Sequence, residues 1–269
     1  MKNKDFLLEI KEELKKYSYI PGEIYNAIVG AVVRGKPKNL VPLLATERKR
    51  GIFFKGTNNL FKKASKITGL SPADIFKRTD FHSNDIARGR IETAFAELRT
   101  IIFLDKMNFT NIIPLEAKKN EKCSDFIANK DCHKYAIEIY CNISKELKKE
   151  FKTNEITIKP LTYIDDLIQD YVSKAGEKKK QLDDTAKENQ CDKIIFVMVL
   201  NDKNILGFLT FDEHYYDKDY GEDYEILEKI SNELKWGSGY HFVILTGLVF
   251  NARGCVERSG DIIYPPIKL

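Results

Sequence analysis

The order of apolar runs predicts an α/β protein, a mixed central sheet flanked by helices, preceded by a helical N-terminal subdomain. Three observations carry this. KIIFVMVL (193–200) and YHFVILTGLVF (240–250) are unbroken apolar runs, the mark of strands buried on both faces. A long helical pattern (about 163–190) and a shorter one (YEILEKISNELKW) precede them, as connections between parallel strands require. Upstream, FTNIIPL (109–115), CSDFIA and KYAIEIYC read as three short strands, the last two joined by a polar turn. Hairpinned strands followed by helix-connected ones imply a mixed sheet with helices on both faces.

From the N-terminus, residues 5–17 place Phe6, Leu7, Ile10 and Leu14 on one helical face. Pro21 and Gly22 interrupt that helix, and a second, largely buried one restarts near Glu23. Pro37 and Pro42 punctuate the next stretch. ERKR (47–50) then carries Arg48, Lys49 and Arg50 ahead of Phe53 and Phe54, a pairing suited to phosphate contact with base stacking. LFKKASKITGLSPADIF has a helix-turn-helix rhythm: Ala64 and Ser65 are small, Gly69 turns, Ser71 caps a helix starting at Pro72, and Ile75 points inward. Lys62, Lys63 and Lys66 join the expected nucleic-acid contacts, with a plain packing corner as the alternative.

FHSNDIARGR (81–90) reads as the junction, giving a basic helical subdomain (1–85) and an α/β core (86–269). The core opens with a helix over 91–108, its stripe Ile91, Phe95, Leu98 and Ile102, with Glu92 at the edge and Asn108 at the end. A charged hairpin at 118–122 and a polar segment at NISKELKKEF separate elements. GFLTF (207–211) is a short candidate strand and DIIY a candidate edge strand before Pro265 and Pro266.

Charge is divided unevenly. Residues 1–90 carry a net +10 and the remainder −6, for +4 overall, with the basic excess between Arg34 and Arg78. That suggests an arm for a polyanion on a more acidic body, or simply a solvated lysine-rich surface. The 269 residues contain no apolar run of the about 18–20 residues that span a membrane. The amphipathic, acid-containing N-terminus lacks a signal peptide's apolar block, so a cytoplasmic protein is expected. The five cysteines lack the spacing of a disulfide framework or a zinc site, and the four histidines show no ligand spacing.

The stretch Lys122–Cys141 concentrates the chemistry. Asp125 lies in its first strand and Glu138 deep in its second, inside the apolar run Tyr135–Cys141. A charge there costs several kcal/mol, in order of magnitude, unless paired or metal-bound. Neighbouring strands lie about 5 Å apart, so the two carboxylates could converge on one cation.

These residues and the element order resemble the PD-(D/E)XK nuclease superfamily, the restriction-endonuclease-like fold, over roughly residues 90–250. The resemblance rests on Glu92 in the first helix, Asp125 in the second strand, and Glu138 with Tyr140 in the third. It implies magnesium or manganese held by Asp125, Glu138 and the Ile139 carbonyl, with Glu92 completing the site. It further implies a metal-dependent endonuclease acting on nucleic acid, double-stranded DNA in the restriction or defence type, and by analogy a homodimer. The chain departs from the motif at Tyr140, where the family carries lysine. The missing ammonium is expected from Lys178, Lys179 or Lys180 on the long helix, with Gln181 beside them; Tyr140 itself is the other candidate for positioning water. Each residue also has a second reading: Asp125 as a turn cap, Glu138 as partner of a lysine or Arg99, Glu92 and the 178–180 lysines as solvated surface. The alternative function is a catalytically degenerate module of this fold that binds nucleic acid or a protein partner without cleavage.

Overall fold

The computed structural model describes residues 3–33, 47–79, 88–116, 123–142, 163–200, 220–246 and 262–265. Outside them lie the Pro37–Pro42 stretch, most of the 81–90 junction, the 118–122 hairpin, all of the NISKELKKEF segment after Asn142 and the candidate strand at 207–211. The described chain forms two compact units, dividing between Asp105 and Lys106.

The first unit is helical: α1 (Asn3–Leu14), α2 (Gly22–Val33), α3 (Glu47–Thr68), α4 (Pro72–Arg78) and α5 (Arg88–Lys106). In α3 the buried residues Phe53, Phe54, Thr57, Leu60, Phe61 and Ala64 recur at helical spacing. Gly69, at φ 72°, ends the helix in a conformation that only glycine adopts without strain. Ser71 then accepts the Asp74 N–H at 3.1 Å, capping α4 and leaving Ile75 buried.

Two sequence expectations are corrected here. Phe53 and Phe54 pack edge-on against each other in the core, 4% and 0% exposed, and offer no stacking face to a base. Arg50 is also buried, because Glu9 and Glu13 of α1 both hold its guanidinium at 3.1 Å. It joins α1 to α3 and is committed within the fold.

The α5 helix differs from expectation as well. Burial extends beyond the Phe95, Leu98 and Ile102 stripe to Ala94, Ala96, Ile101, Phe103 and Leu104. Phe95 packs edge-on against Phe53, and the helix groups with the N-terminal unit, moving the boundary from 85/86 to 105/106.

The second unit is built on a six-stranded mixed sheet in the order β1-β2-β3-β4-β5-β6. The strands are β1 (Thr110–Pro114), β2 (Phe126–Lys130), β3 (His133–Asn142), β4 (Lys193–Leu200), β5 (Tyr240–Thr246) and β6 (Ile262–Tyr264). The β1, β2 and β3 strands are antiparallel, β3, β4 and β5 parallel, and β6 returns antiparallel as the edge anticipated at DIIY. A left-handed pair, Asp131 and Cys132 at φ 51° and 64°, closes the tight β2–β3 turn.

The β3–β4 connection contains α6 (Tyr163–Glu188), and the β4–β5 connection contains α7 (Tyr220–Leu234). Both helices bury apolar residues against the sheet face formed by Ala136, Ile194, Phe196, Met198, Phe242 and Ile244. The opposite-face residues Ile137, Ile195, Val197 and Val243 are also fully buried, which explains the continuous apolar runs. Two polar devices set the register. The fully buried Tyr171 hydroxyl of α6 donates to the Phe196 carbonyl at 2.8 Å and accepts the Val243 N–H at 3.3 Å. Asp192, just before β4, accepts the Lys134 N–H at 2.9 Å and also engages His133, fixing where β3 and β4 begin to pair.

No helix among the described residues is long and apolar enough to cross a membrane.

Candidate functional site

The α6 inward face repeats at helical spacing: Ile168, Tyr171, Ala175, then Leu182 and Ala186, all buried against the sheet. Lys178 occupies the remaining step of that stripe, where an apolar residue would ordinarily stand. Its ammonium reaches the buried Glu138 carboxylate of β3, with Nζ 2.5 Å from Oε1. Gln181, one turn further on, donates Nε2 to Glu138 Oε2 at 3.0 Å. Both oxygens of a carboxylate that is 1% exposed therefore have partners.

This geometry separates the three candidate lysines. Lys178 turns inward. Lys179 bonds Asp183 at 2.6 Å and the Tyr240 hydroxyl at 3.1 Å, and lies over the Tyr240 and Trp236 rings. Lys180 is exposed. Lys134, on the Glu138 face of β3, is spent on the Asn189 carbonyl at 2.7 Å.

Asp125 stands one residue before β2 rather than within it. The β2–β3 pairing ends at Phe126↔Ile137, so Asp125 lies just beyond the ladder, next to Glu138's end of β3. The chain bends at Asp125, whose carbonyl accepts the Leu115 N–H at 2.9 Å. The Asp125 carboxylate accepts the Ile139 N–H at 2.6 Å. A strand residue's N–H and C=O point to the same side, so the Ile139 carbonyl looks toward Asp125. Two carboxylates thus lie near the β2–β3 margin, Asp125 on the Ile139 N–H and Glu138 on Lys178 and Gln181.

The neighbouring Cys123 registers that negative charge: burial, then Asp125 and Glu138, push its thiol up from its ordinary value. It remains a thiol near neutrality.

Tyr140 shares the Glu138 face of β3 but turns its hydroxyl to Asp170, 3.5 Å away and two turns of α6 before Lys178. Burial, then Asp170, raises the phenol to about 12. At neutral pH it is a protonated donor with no capacity as a base. Glu92 lies in α5, in the first unit, and its side chain is outside what is described. Arg48 and Lys49 begin α3, with side chains likewise outside; Lys62, Lys63 and Lys66 are exposed on that helix.

Among the described residues, no three or more His, Cys, Asp and Glu side chains gather as a metal-holding cluster. A cation here would rest on Asp125, Glu138, the Ile139 carbonyl and water. That donor set suits magnesium, which keeps several waters and needs only one or two carboxylates. Such a cation would share Glu138 with Lys178.

Thr185, Ser124 and Asp170 were not singled out by sequence. Thr185 had a signal available, since it lies on the same helical row as Lys178 and Gln181, seven and four residues on. Compared with known protein families, with curated proteins and with solved structures, the chain gives no match.

Two outcomes follow from these interactions. Removing one partner of a buried ion pair costs about 3–5 kcal/mol. The Lys178 side chain is 37% exposed, so water offsets part of that cost. Lys178→Met should lower stability by about 2 kcal/mol in urea unfolding, while Lys180→Met stays within about 0.5 kcal/mol. The second concerns Tyr140, whose folded value of about 12 exceeds its unfolded value of ~10. The stabilisation this reflects is complete below pH 10 and disappears as pH rises towards 12. Tyr140→Phe should therefore shrink the loss of stability measured between pH 10 and 12.

Proposed function

We propose that this protein is a metal-dependent endonuclease hydrolysing phosphodiester bonds of nucleic acid, with double-stranded DNA as substrate. The observation that carries the proposal is the Asp125–Glu138 pair with Lys178 inserted from α6. A carboxylate pair beside the β2–β3 hairpin with an ammonium in contact with one of them matches the site that the resemblance to PD-(D/E)XK nucleases implies. It also supplies, from a helix, the cation missing at Tyr140.

Asp125, Glu138 and the Ile139 carbonyl would hold magnesium or manganese. Bound there, the ion supplies Lewis acidity toward the phosphate and a water acidified toward hydroxide. The chain does the rest. Gln181 and Glu138 fix the Lys178 ammonium beside the carboxylates, where it acts as a point charge on the negative charge developing at the phosphate. Tyr140, tied to Asp170, serves as a structural donor.

Support for a nucleic-acid substrate comes from α3. After Glu47 this helix contains no acidic residue, and Lys55, Asn59, Lys62 and Lys66 are exposed at spacings of four, three and four. These positions form one polar stripe along the helix, about 16 Å long at 1.5 Å per residue. Such a stripe suits sequence-independent phosphate contact. Cutting both strands calls for two sites, so a homodimer is part of the proposal.

A second function is favoured by Tyr140 at the motif lysine and by the prior engagement of both Glu138 oxygens. It is a catalytically silent module of this fold that binds nucleic acid.

Plasmid DNA incubated with magnesium or manganese separates the two. Cleavage should be lost in Asp125→Ala and Glu138→Ala, and kcat should fall roughly 10²–10³-fold in Lys178→Met. Binding without cleavage, indifferent to Asp125→Ala, would establish the silent module instead. Anisotropy titrations of a short duplex over a salt series test the α3 stripe. Lys62→Ala with Lys66→Ala should reduce the slope of log K against log salt by about 2, one for each phosphate no longer neutralised. An unchanged slope removes α3 from the interface.

A further inference from the structure

We infer that Thr185 of α6 is a positioning residue for Asp125, acting through the Cys123–Ser124 peptide. The inference rests on the proposed cation-binding role of Asp125 and Glu138.

The β2–β3 ladder begins at the Phe126↔Ile137 pair, so residues 123–125 lie beyond it. What places them is α6, which grips both polar ends of a single peptide group. Gln181 Nε2 donates to the Cys123 carbonyl at 2.5 Å, and Thr185 Oγ1 accepts the Ser124 N–H at 2.9 Å. Thr185 and Ser124 are each only 1% exposed, so water does not replace that bond. Ser124 has no second anchor through its own side chain: its buried Oγ has no hydrogen-bond partner among the described residues.

Asp125 follows this peptide directly. Its carbonyl is fixed by Leu115 and its carboxylate by the Ile139 N–H. The preceding peptide supplies the third support. Lys178, Gln181 and Thr185 thus form one row of α6, which holds the Glu138 carboxylate at one end and the Asp125 segment at the other. A single rigid helix sets the spacing between the two carboxylates. Loss of the Thr185 acceptor removes one of the two holds on the peptide preceding Asp125 while leaving the Gln181 bond, Glu138 and Lys178 in place.

The test compares Thr185→Val, which keeps shape but removes the acceptor, with Thr185→Ser, which keeps the hydroxyl. Thermal unfolding is followed against manganese concentration, with no substrate present. Supporting partners of metal ligands typically contribute 10–100-fold in metal affinity. Thr185→Val should therefore raise the manganese concentration for half-maximal stabilisation roughly tenfold or more, and Thr185→Ser should restore it to within about twofold. Equal loss of stability with and without manganese, at unchanged half-saturation, means a merely structural threonine and overturns the inference. If Thr185→Val fails to fold, Thr185→Ala is read the same way. Asp125→Asn separates the two levels of the proposal. If it abolishes the manganese response while Thr185→Val leaves half-saturation unchanged, only the positioning role falls. If Asp125→Asn leaves the response intact, the cation-binding role falls and the positioning role with it.

Discussion

Glu138 is an ionisable group placed where a sheet is otherwise packed with apolar side chains, and the second unit is arranged to make that placement tolerable. Burying a lone carboxylate costs several kcal/mol, more than a marginally stable domain can readily absorb. The compensation arrives from α6, whose Lys178 and Gln181 each take one carboxylate oxygen. The ammonium that meets it is partly open to water, with 37% of the Lys178 side chain exposed, and so carries a smaller cost of its own. Neither residue suits its position without the other, and each accounts for the other's presence.

That mutual requirement constrains everything around it. For Lys178 to meet Glu138, α6 must lie along the sheet in one rotational setting, which Tyr171 secures by bonding the backbones of β4 and β5. The same setting carries Gln181 and Thr185 onto the Cys123–Ser124 peptide that precedes Asp125. The site is a consequence of how one helix docks, with strand register supplying the other coordinate. Its components come from the segment just before β2, from β3 and from α6, groups far apart in the chain.

Much of the architecture was legible in the chain. The apolar runs marked β4 and β5, the polar turn marked the β2–β3 hairpin, and DIIY marked the edge strand. Glu138 stood out because a carboxylate inside an apolar run violates the local pattern, and Asp125 as the acid of the hairpinned strand beside it. What misled was local composition without burial. ERKR followed by two phenylalanines has the chemistry of a nucleic-acid contact, yet Arg50 faces Glu9 and Glu13 and both rings enter the core. Helical phase decides this, and a run of cations on consecutive residues samples several phases. Lys178 was readable as one of three lysines, but only its place in the Ile168–Tyr171–Ala175–Leu182–Ala186 stripe distinguishes it.

The sequence by itself determined the described element types and the mixed sheet, because these follow from periodicity, and it set Glu138 apart, because a charge among apolar neighbours is costly. Tertiary structure alone decided which lysine answers Glu138, where Asp125 sits relative to its strand, and that α5 groups with the N-terminal helices. These depend on the rotation of a helix about its axis and on strand register. A turn of about 100° per residue moves a side chain from solvent to core without changing the local sequence signal that precedes or follows it.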